Sequence, residues 1–378
     1  MDEQYTPIIS EAERLERRKQ RAAARRKKQL ARRRRLIIQF LPAAVLVLAV
    51  LISLVVWAVR REPDPDPAPP EPPSVPVVQT IPEVVVPEPE LPFEAKATAS
   101  TVQLGNSVVS NYAVLIAPEE GTILAQKAAD TIISPASMTK VLTLLVAAEH
   151  LTEADMDKMF TMTIDITDYC FINGCSVVGL MVDEQVSVRE LLYGTILPSG
   201  ADASLGLATY VAGSHEAFVE LMNEKLEELG LSDTAHFTNC VGLYDENHRC
   251  SIYDMALIMK AAMDNELCRE VLKARTYETA PTSDHPDGQI LSNWFLRRIE
   301  DRFTRDRLLE AKYTENIEYF ENFQIIGGKT GYVVEAGSCA VSCGQDASGK
   351  TFICATGDAS SQWKAIADHT LIYQTYCK

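Results

Sequence analysis

The pattern of apolar and polar positions divides the chain into stretches of different physical character. Leu36 to Val59 is a run of 24 residues without a charge, and as a helix rising about 1.5 Å per residue it covers roughly 36 Å, enough to cross a bilayer. Further on, strand-like runs at 112–116 and 122–126 flank Pro118-Glu119-Glu120-Gly121, which predicts a hairpin. Helical spacing of Leu and Val then takes over. Residues 138–150 and 188–197 each read as a helix, and 203–230 as two amphipathic helices ending at a glycine C-cap. Strand-like runs return at 324–328, 338–342 and 351–356, the last two joined through Asp346-Ala347-Ser348-Gly349, and 361–376 reads as a closing helix. Strands at both ends with helices between them predict one α+β domain, its terminal strands sharing a mostly antiparallel sheet beside an all-helical subdomain.

Charge sharpens the boundaries. Residues 1–35 hold 13 Lys/Arg against 5 Asp/Glu in a chain whose net charge is −16. This basic block abuts the apolar run on one side, while only Arg60 and Arg61 precede acidic residues on the other. The asymmetry predicts a cytoplasmic N-terminus and a single-pass membrane anchor, and with no small-x-small cleavage site after the run the anchor is expected to be retained. Residues 60–93 carry 12 of the 19 prolines. They predict a semi-rigid polyproline spacer of up to about 100 Å. The expected organisation is therefore a basic tail (1–35), a transmembrane helix (36–59), a Pro-rich linker (60–93) and a folded domain (94–378). That domain has 21 basic and 40 acidic residues, which argues against a nucleic-acid partner. All nine cysteines lie in it. Cys170 with Cys175, and Cys240 with Cys250, are close enough in sequence for loop disulfides, and buried thiols used as small apolar side chains fit equally well.

Two short words about 190 residues apart carry the candidate chemistry. In Ser137-Met138-Thr139-Lys140 the lysine, three residues on, shares a helix face with the serine and can take its proton. The serine follows Pro135 at an expected helix start, where free N–H groups favour a developing oxyanion. A lysine base must be neutral, which burial beside a second cation promotes; Lys329, in Gly327-Gly328-Lys329-Thr330-Gly331, is the candidate. In this reading Lys329 and Thr330 attract a substrate carboxylate, an extended peptide lies along the strand edge, and the backbone N–H groups of Ser137 and Tyr332 form an oxyanion hole. Ser361-Gln362-Trp363-Lys364 repeats the Ser-x-x-Lys spacing without this context and reads as a helix cap.

The ordered set resembles the serine-type D-alanyl-D-alanine carboxypeptidases, the low-molecular-mass penicillin-binding proteins. Thr238-Asn239-Cys240-Val241-Gly242-Leu243 with His248 and Asp254, and Ala336-Gly337, are similar to further stretches of that family. The resemblance covers about residues 105–378 and implies a penicillin-binding/β-lactamase-like fold. It implies that Ser137 is acylated by the penultimate D-alanine carbonyl of a peptidoglycan stem peptide, that terminal D-alanine leaves, and that water releases the acyl group, with β-lactams trapped at the same serine. Lys140 would be the base, Ser199 a relay to the leaving amine, and Lys329, Thr330 and Gly331 the substrate-binding strand; no metal or organic cofactor is implied. It places the domain outside a bacterial cell membrane. Two positions depart from the family pattern. Ala201 stands where the family's middle motif has asparagine, so that either Asp202 or a neighbouring group substitutes or turnover is weakened, and the arginine that helps bind the terminal carboxylate has only Lys364 as its nearest replacement.

Rival readings are weaker. Ser283-Asp284-His285-Pro286-Asp287-Gly288 begins like a zinc-carboxypeptidase motif but has no Glu-x-x-His partner, and Cys240, His248 and Cys250 match no common metal spacing. A β-lactamase would need a Glu-x-x-x-Asn deacylation segment, which is missing between Ser199 and Lys329. The non-enzymatic alternative is a membrane-anchored homologue that binds wall peptides or β-lactams without turnover.

Overall fold

The computed structural model describes residues 92–300 and 323–377; the basic tail, the apolar run and nearly all of the Pro-rich linker lie outside them. In chain order the elements are β1 (Lys96–Gln103), β2 (Tyr112–Ala117), β3 (Thr122–Lys127), β4 (Ile132–Ile133), α1 (Thr139–His150), β5 (Met159–Thr161), α2 (Ile164–Ile172), β6 (Gln185–Ser187), α3 (Val188–Ile196), α4 (Ala201–Ala212) and α5 (His215–Glu228). They continue with β7 (Cys250–Ser251), α6 (Ile252–Asp264), α7 (Glu266–Lys273), β8 (Thr276–Glu278), β9 (Ile290–Ser292), α8 (Trp294–Glu300), β10 (Phe323–Val333), β11 (Gly337–Asp346), β12 (Thr351–Ala359) and α9 (Gln362–Tyr376).

Six strands form the main sheet in the order β1-β3-β2-β12-β11-β10. β12 pairs antiparallel with β2, so strands from both ends of the domain meet at its centre as expected. Among the described strand pairs only β1–β3 is parallel. Period-2 alternation assigns the faces. Val114 and Ile116 enter the larger core under the helical region, while Ala113, Leu115 and Ala117 enter a second core that includes Ala365, Ile366, Ile372 and Tyr373 of α9.

α1 runs through the middle of the larger core and is buried from Thr139 to Ala148 without interruption. A helix apolar all round has no solvent face, which is why its hydrophobic pattern is continuous. Leu142, Leu144 and Leu145 are all essentially inaccessible, and truncating any one to alanine costs about 2–5 kcal/mol. Capping boxes start α3 at Ser187 with Glu190 and α6 at Ser251 with Asp254, and Gly213, with φ +80°, stops α4. Glycine is suited to that last position because only it adopts positive φ at no steric cost.

One expectation is corrected. The sequence predicts a strand that ends at Gly327-Gly328, but β10 continues through them to Val333 as an edge strand of the sheet. The glycines mark close approach: a Cβ on Gly328 would lie 2.2 Å from the Phe295 ring, and one on Gly331 2.9 Å from the Pro135 carbonyl. No helix among the described residues is long and apolar enough to cross a membrane.

Candidate active site

Two strained backbone positions present the two serines. A 3-10 turn, Ala136–Met138, leads into α1, and Ala136 has φ +49°, which sets Ser137 at the lip of a cleft. Ser199 itself has φ +63°. Left-handed conformations in residues other than glycine cost on the order of 1 kcal/mol and persist where surrounding structure enforces them. Around Ser199 that enforcement comes from Gly200 N–H donating to the Gly194 carbonyl (2.9 Å) and Ala201 N–H to the Ser176 carbonyl (2.8 Å).

Lys140, 2% exposed, donates from Nζ to Ser137 Oγ at 3.1 Å and to the Val241 carbonyl at 2.6 Å. Burial pulls its pKa down to about 8, against smaller opposing contributions from Cys240, Cys175, Cys170 and Asp202. Lys329, 3% exposed, donates to Ser199 Oγ and to the Thr330 carbonyl, both at 2.8 Å. Burial first, and the Lys140 charge second, hold it well below the usual lysine range. Ser137, Ser199, Lys329, Thr330, Gly331 and Tyr332 all line one cleft of about 370 Å³; Lys140 lies beneath it. A serine hydroxyl thus meets a lysine whose pKa is drawn down to about 8, with a second serine–lysine pair across the cleft, an arrangement able to activate a nucleophile.

The segment 238–243 holds this arrangement through contacts that sequence reasoning had not assigned. Asn239 Oδ1 accepts N–H bonds from Val241 (3.2 Å), Gly242 (2.7 Å) and Leu243 (3.0 Å), curling the chain so that the Val241 carbonyl faces Lys140. Thr143 Oγ1 donates to the Cys240 carbonyl at 2.7 Å. His248 Nδ1 accepts from Thr238 N–H at 3.0 Å, so Nε2 carries the proton and donates to Thr139 Oγ1 at 2.8 Å. Burial lowers His248 to a pKa of about 3, which keeps the ring neutral. The match of Asn239 and His248 to the family stretch was the available signal, but their work is to position a backbone carbonyl.

Ala201 is the first residue of α4 and 1% exposed. Asp202 does not substitute for asparagine: its carboxylate accepts from the N–H groups of Val178 (2.8 Å), Gly179 (2.9 Å) and Leu180 (3.0 Å). The second acceptor for Lys140 is the Val241 carbonyl instead. Lys364 does not line the cleft. Among the described residues no three His, Cys, Asp or Glu side chains are placed to hold a metal; His285 bonds Glu184 at 2.7 Å in a loop clasp. The nine cysteines are free thiols, with those of Cys170 and Cys175 hydrogen-bonded to each other.

An α+β fold of this topology, with Ser137, Lys140, Ser199 and Lys329 converging on one cleft, defines the class of the penicillin-binding and β-lactamase-like DD-peptidases. Within that class the chain belongs to the D-alanyl-D-alanine carboxypeptidase family, whose profile matches residues 96–360. It is 38% identical over 157 residues to the D-alanyl-D-alanine carboxypeptidase DacF of Bacillus subtilis, a match covering 41% of this chain and 39% of that protein. To DacC of Escherichia coli it is 39% identical over 172 residues, 44% of this chain and 42% of the relative. These matches span less than half the length of either relative. A structure of a single-residue mutant of the Streptomyces K15 DD-transpeptidase is similar at a TM-score of 0.58 and 28% identity, covering 71% of this chain and 97% of the other.

Proposed function

We propose that this protein is a serine D-alanyl-D-alanine carboxypeptidase that removes the terminal D-alanine from peptidoglycan stem peptides through an acyl-enzyme, and that β-lactams acylate the same serine. The observation that carries the reading is the 3.1 Å bond from Lys140 Nζ to Ser137 Oγ, made by a lysine whose pKa is drawn down to about 8. An extended peptide adds to the free edge of β10, bringing its penultimate carbonyl over Ser137. Neutral Lys140 takes the hydroxyl proton as Oγ attacks. The oxyanion is received by the N–H groups of Ser137 and Tyr332, on a turn and a strand that lie close enough that a Cβ on Gly331 would sit 3.1 Å from Ser137 N. Collapse expels D-alanine, its amine taking up the proton that Lys140 had accepted, relayed through Ser199, which Lys329 polarises from 2.8 Å. Water then attacks the ester, Lys140 again accepts a proton, and Ser137 is regenerated.

In the proposed organisation the apolar run 36–59 crosses the bacterial cell membrane once, with the basic tail 1–35 in the cytoplasm. The Pro-rich segment 60–93 sets the domain from residue 94 onward at the wall outside. The run's length and the flanking charge asymmetry support this placement.

The test is intact-mass analysis with penicillin, together with D-alanine release from diacetylated Lys-D-Ala-D-Ala. The wild type should gain one acyl group and release D-alanine, and Ser137→Ala should do neither. A wild type that gains no mass sinks the active-serine reading; acylation without D-alanine release favours the binding-only alternative.

A further inference from the structure

The helix α2 ends in a Schellman motif. Gly174, with φ +60°, stands just past the helix in the left-handed conformation; its N–H donates to the Phe171 carbonyl at 3.3 Å, and the Cys175 N–H turns back to the Cys170 carbonyl at 2.9 Å. This closure brings together the side chains of the two residues joined by its outer bond. In this chain both are cysteines, and their thiols are hydrogen-bonded to each other. The backbone therefore needs little movement to bring the two sulfurs within bonding range. Cys170 is 4% exposed and Cys175 half-buried, so an incoming disulfide meets Cys175 first. The hydrogen bond from Cys170, against burial and helped by the Lys140 charge, holds the Cys175 thiol below its ordinary range.

The pair lies directly upstream of the cleft wall. Ser176 and Val177 line the Ser137 cleft. The Ser176 carbonyl accepts the Ala201 N–H at 2.8 Å, one of the two bonds that hold Ser199 at its φ of +63°. Val178 packs on the same turn, where a Cβ on Gly200 would lie 2.6 Å from its Cγ2. Asp202 gathers the N–H groups of Val178, Gly179 and Leu180 behind it. Freedom at Cys175 thus passes within one residue to the carbonyl that fixes the Ser199 turn.

We propose that Cys170 and Cys175 are a reversible dithiol–disulfide site, and that closing the bridge steadies the 176–180 wall and the Ser199 turn. The Cys175 thiolate attacks one sulfur of an external disulfide, glutathione disulfide for example, forming a mixed disulfide and releasing one thiolate. Cys170 loses its proton and attacks Cys175 Sγ, expelling the second thiolate. Two electrons and two protons leave the pair, and the external disulfide is reduced to two thiols. Excess thiol runs the exchange backwards.

The experiment poises the detergent-solubilised full chain with glutathione or with glutathione disulfide. Oxidation should leave the chain two hydrogens lighter by intact mass, with peptide mapping placing the bridge between Cys170 and Cys175. The bridged form should melt about 4–8 °C higher, as closure of a short loop allows. Exchange of the Val178, Gly179, Leu180 and Ala201 amides should slow about five- to tenfold as local opening is suppressed. Where a misplacement of 1 Å costs about 100-fold in rate, the smaller loosening of the reduced wall should leave kcat for D-alanine release about three- to tenfold below that of the bridged form. Cys175→Ala should show the exchange and kcat of the reduced wild type with either reagent. The proposal is overturned if no bridge forms between these two residues, if the bridge leaves exchange of those amides unchanged, if it lowers kcat, or if Cys175→Ala still responds to the reagent. A wild type that releases no D-alanine in either state removes the carboxypeptidase reading and leaves the bridge to be decided by mass and amide exchange.

Discussion

Gly242→Ala should be among the most damaging single-methyl changes in the domain. Gly242 has φ +83°, and a Cβ built there would lie 1.9 Å from the Ala136 carbonyl oxygen, 2.3 Å from its carbon and 2.9 Å from Ser137 N. Every one of those atoms is backbone, so no side chain can swing away. Left-handed backbone costs an alanine about 1–2 kcal/mol, and relieving the overlap adds about 1–3 kcal/mol. At about 2–4 °C per kcal/mol for a domain of this size, the melting temperature should fall by roughly 4–20 °C. Gly349→Ala is the matched control, because Gly349 has φ +93° with no atom within 4 Å of its would-be Cβ. It bears only the conformational cost, roughly 2–8 °C. Relief of the Gly242 clash must move either the Ala136–Ser137 peptide or the Val241 carbonyl that holds Lys140. A displacement near 1 Å costs about 100-fold in rate. Penicillin acylation, followed by intact mass over time, should therefore slow by that factor in Gly242→Ala and not at all in Gly349→Ala. If the two variants melt and acylate alike, Gly242 does not brace the nucleophile.

Four further outcomes follow from the same geometry. Acylation should climb through a limb near pH 8, where Lys140 loses its proton; a flat profile from pH 6 to 9 contradicts a lysine base. Because the Lys140 pKa is about 8 when folded against 10.5 as the ordinary value, the unfolded chain holds the proton across that window. Stability attributable to this residue therefore rises with pH between those limits, by up to about 3 kcal/mol. Denaturation of wild type and Lys140→Met should show that rise as a pH-dependent difference, and a constant difference would refute it. Asp202→Ala strands three backbone N–H groups of the 178–180 loop; a loss of about 2–4 kcal/mol is expected, and an unchanged urea midpoint would show that the loop holds without it. Incubation with glutathione disulfide should oxidise Cys170 and Cys175 to one bridge before any other thiols, because they already touch. Peptide mapping that finds Cys240 or Cys250 bridged first contradicts this.

The readable parts of the sequence were those where side chains alone carry the signal. Ser137 and Lys140 share a helix face at any i,i+3 spacing, and alternation in β2 exposes its own two-sided burial. β1 was missed because its residues are almost all exposed and it joins the sheet through backbone pairing with β3, which leaves no hydrophobic period to read. The end of β10 was misplaced because a glycine pair reads as punctuation, whereas here the missing Cβ atoms admit Phe295 and the Ser137 turn. The Val241 carbonyl has no sequence signature, since any residue supplies one; only the curl imposed by Asn239 aims it at Lys140.

Ala201 is where family pattern and physical reading part company, and a single substitution separates them. If the expected asparagine were needed to hold Lys140, Ala201→Asn should accelerate acylation. The structure argues otherwise: Lys140 already donates to Ser137 Oγ and to the Val241 carbonyl, two of the three bonds an ammonium can make. A further amide oxygen beside it would favour the protonated form and so raise the pKa that the base must escape. The position is also 1% exposed and packed in the larger core, so the added volume should cost about 1–3 kcal/mol. The expected result is a less stable protein whose acylation limb moves above pH 8 and whose rate at pH 7 does not increase. A gain of about tenfold at pH 7, worth about 1.4 kcal/mol in the barrier, would mean that the Val241 carbonyl is an inadequate substitute and that this chain turns over below the capacity of its fold.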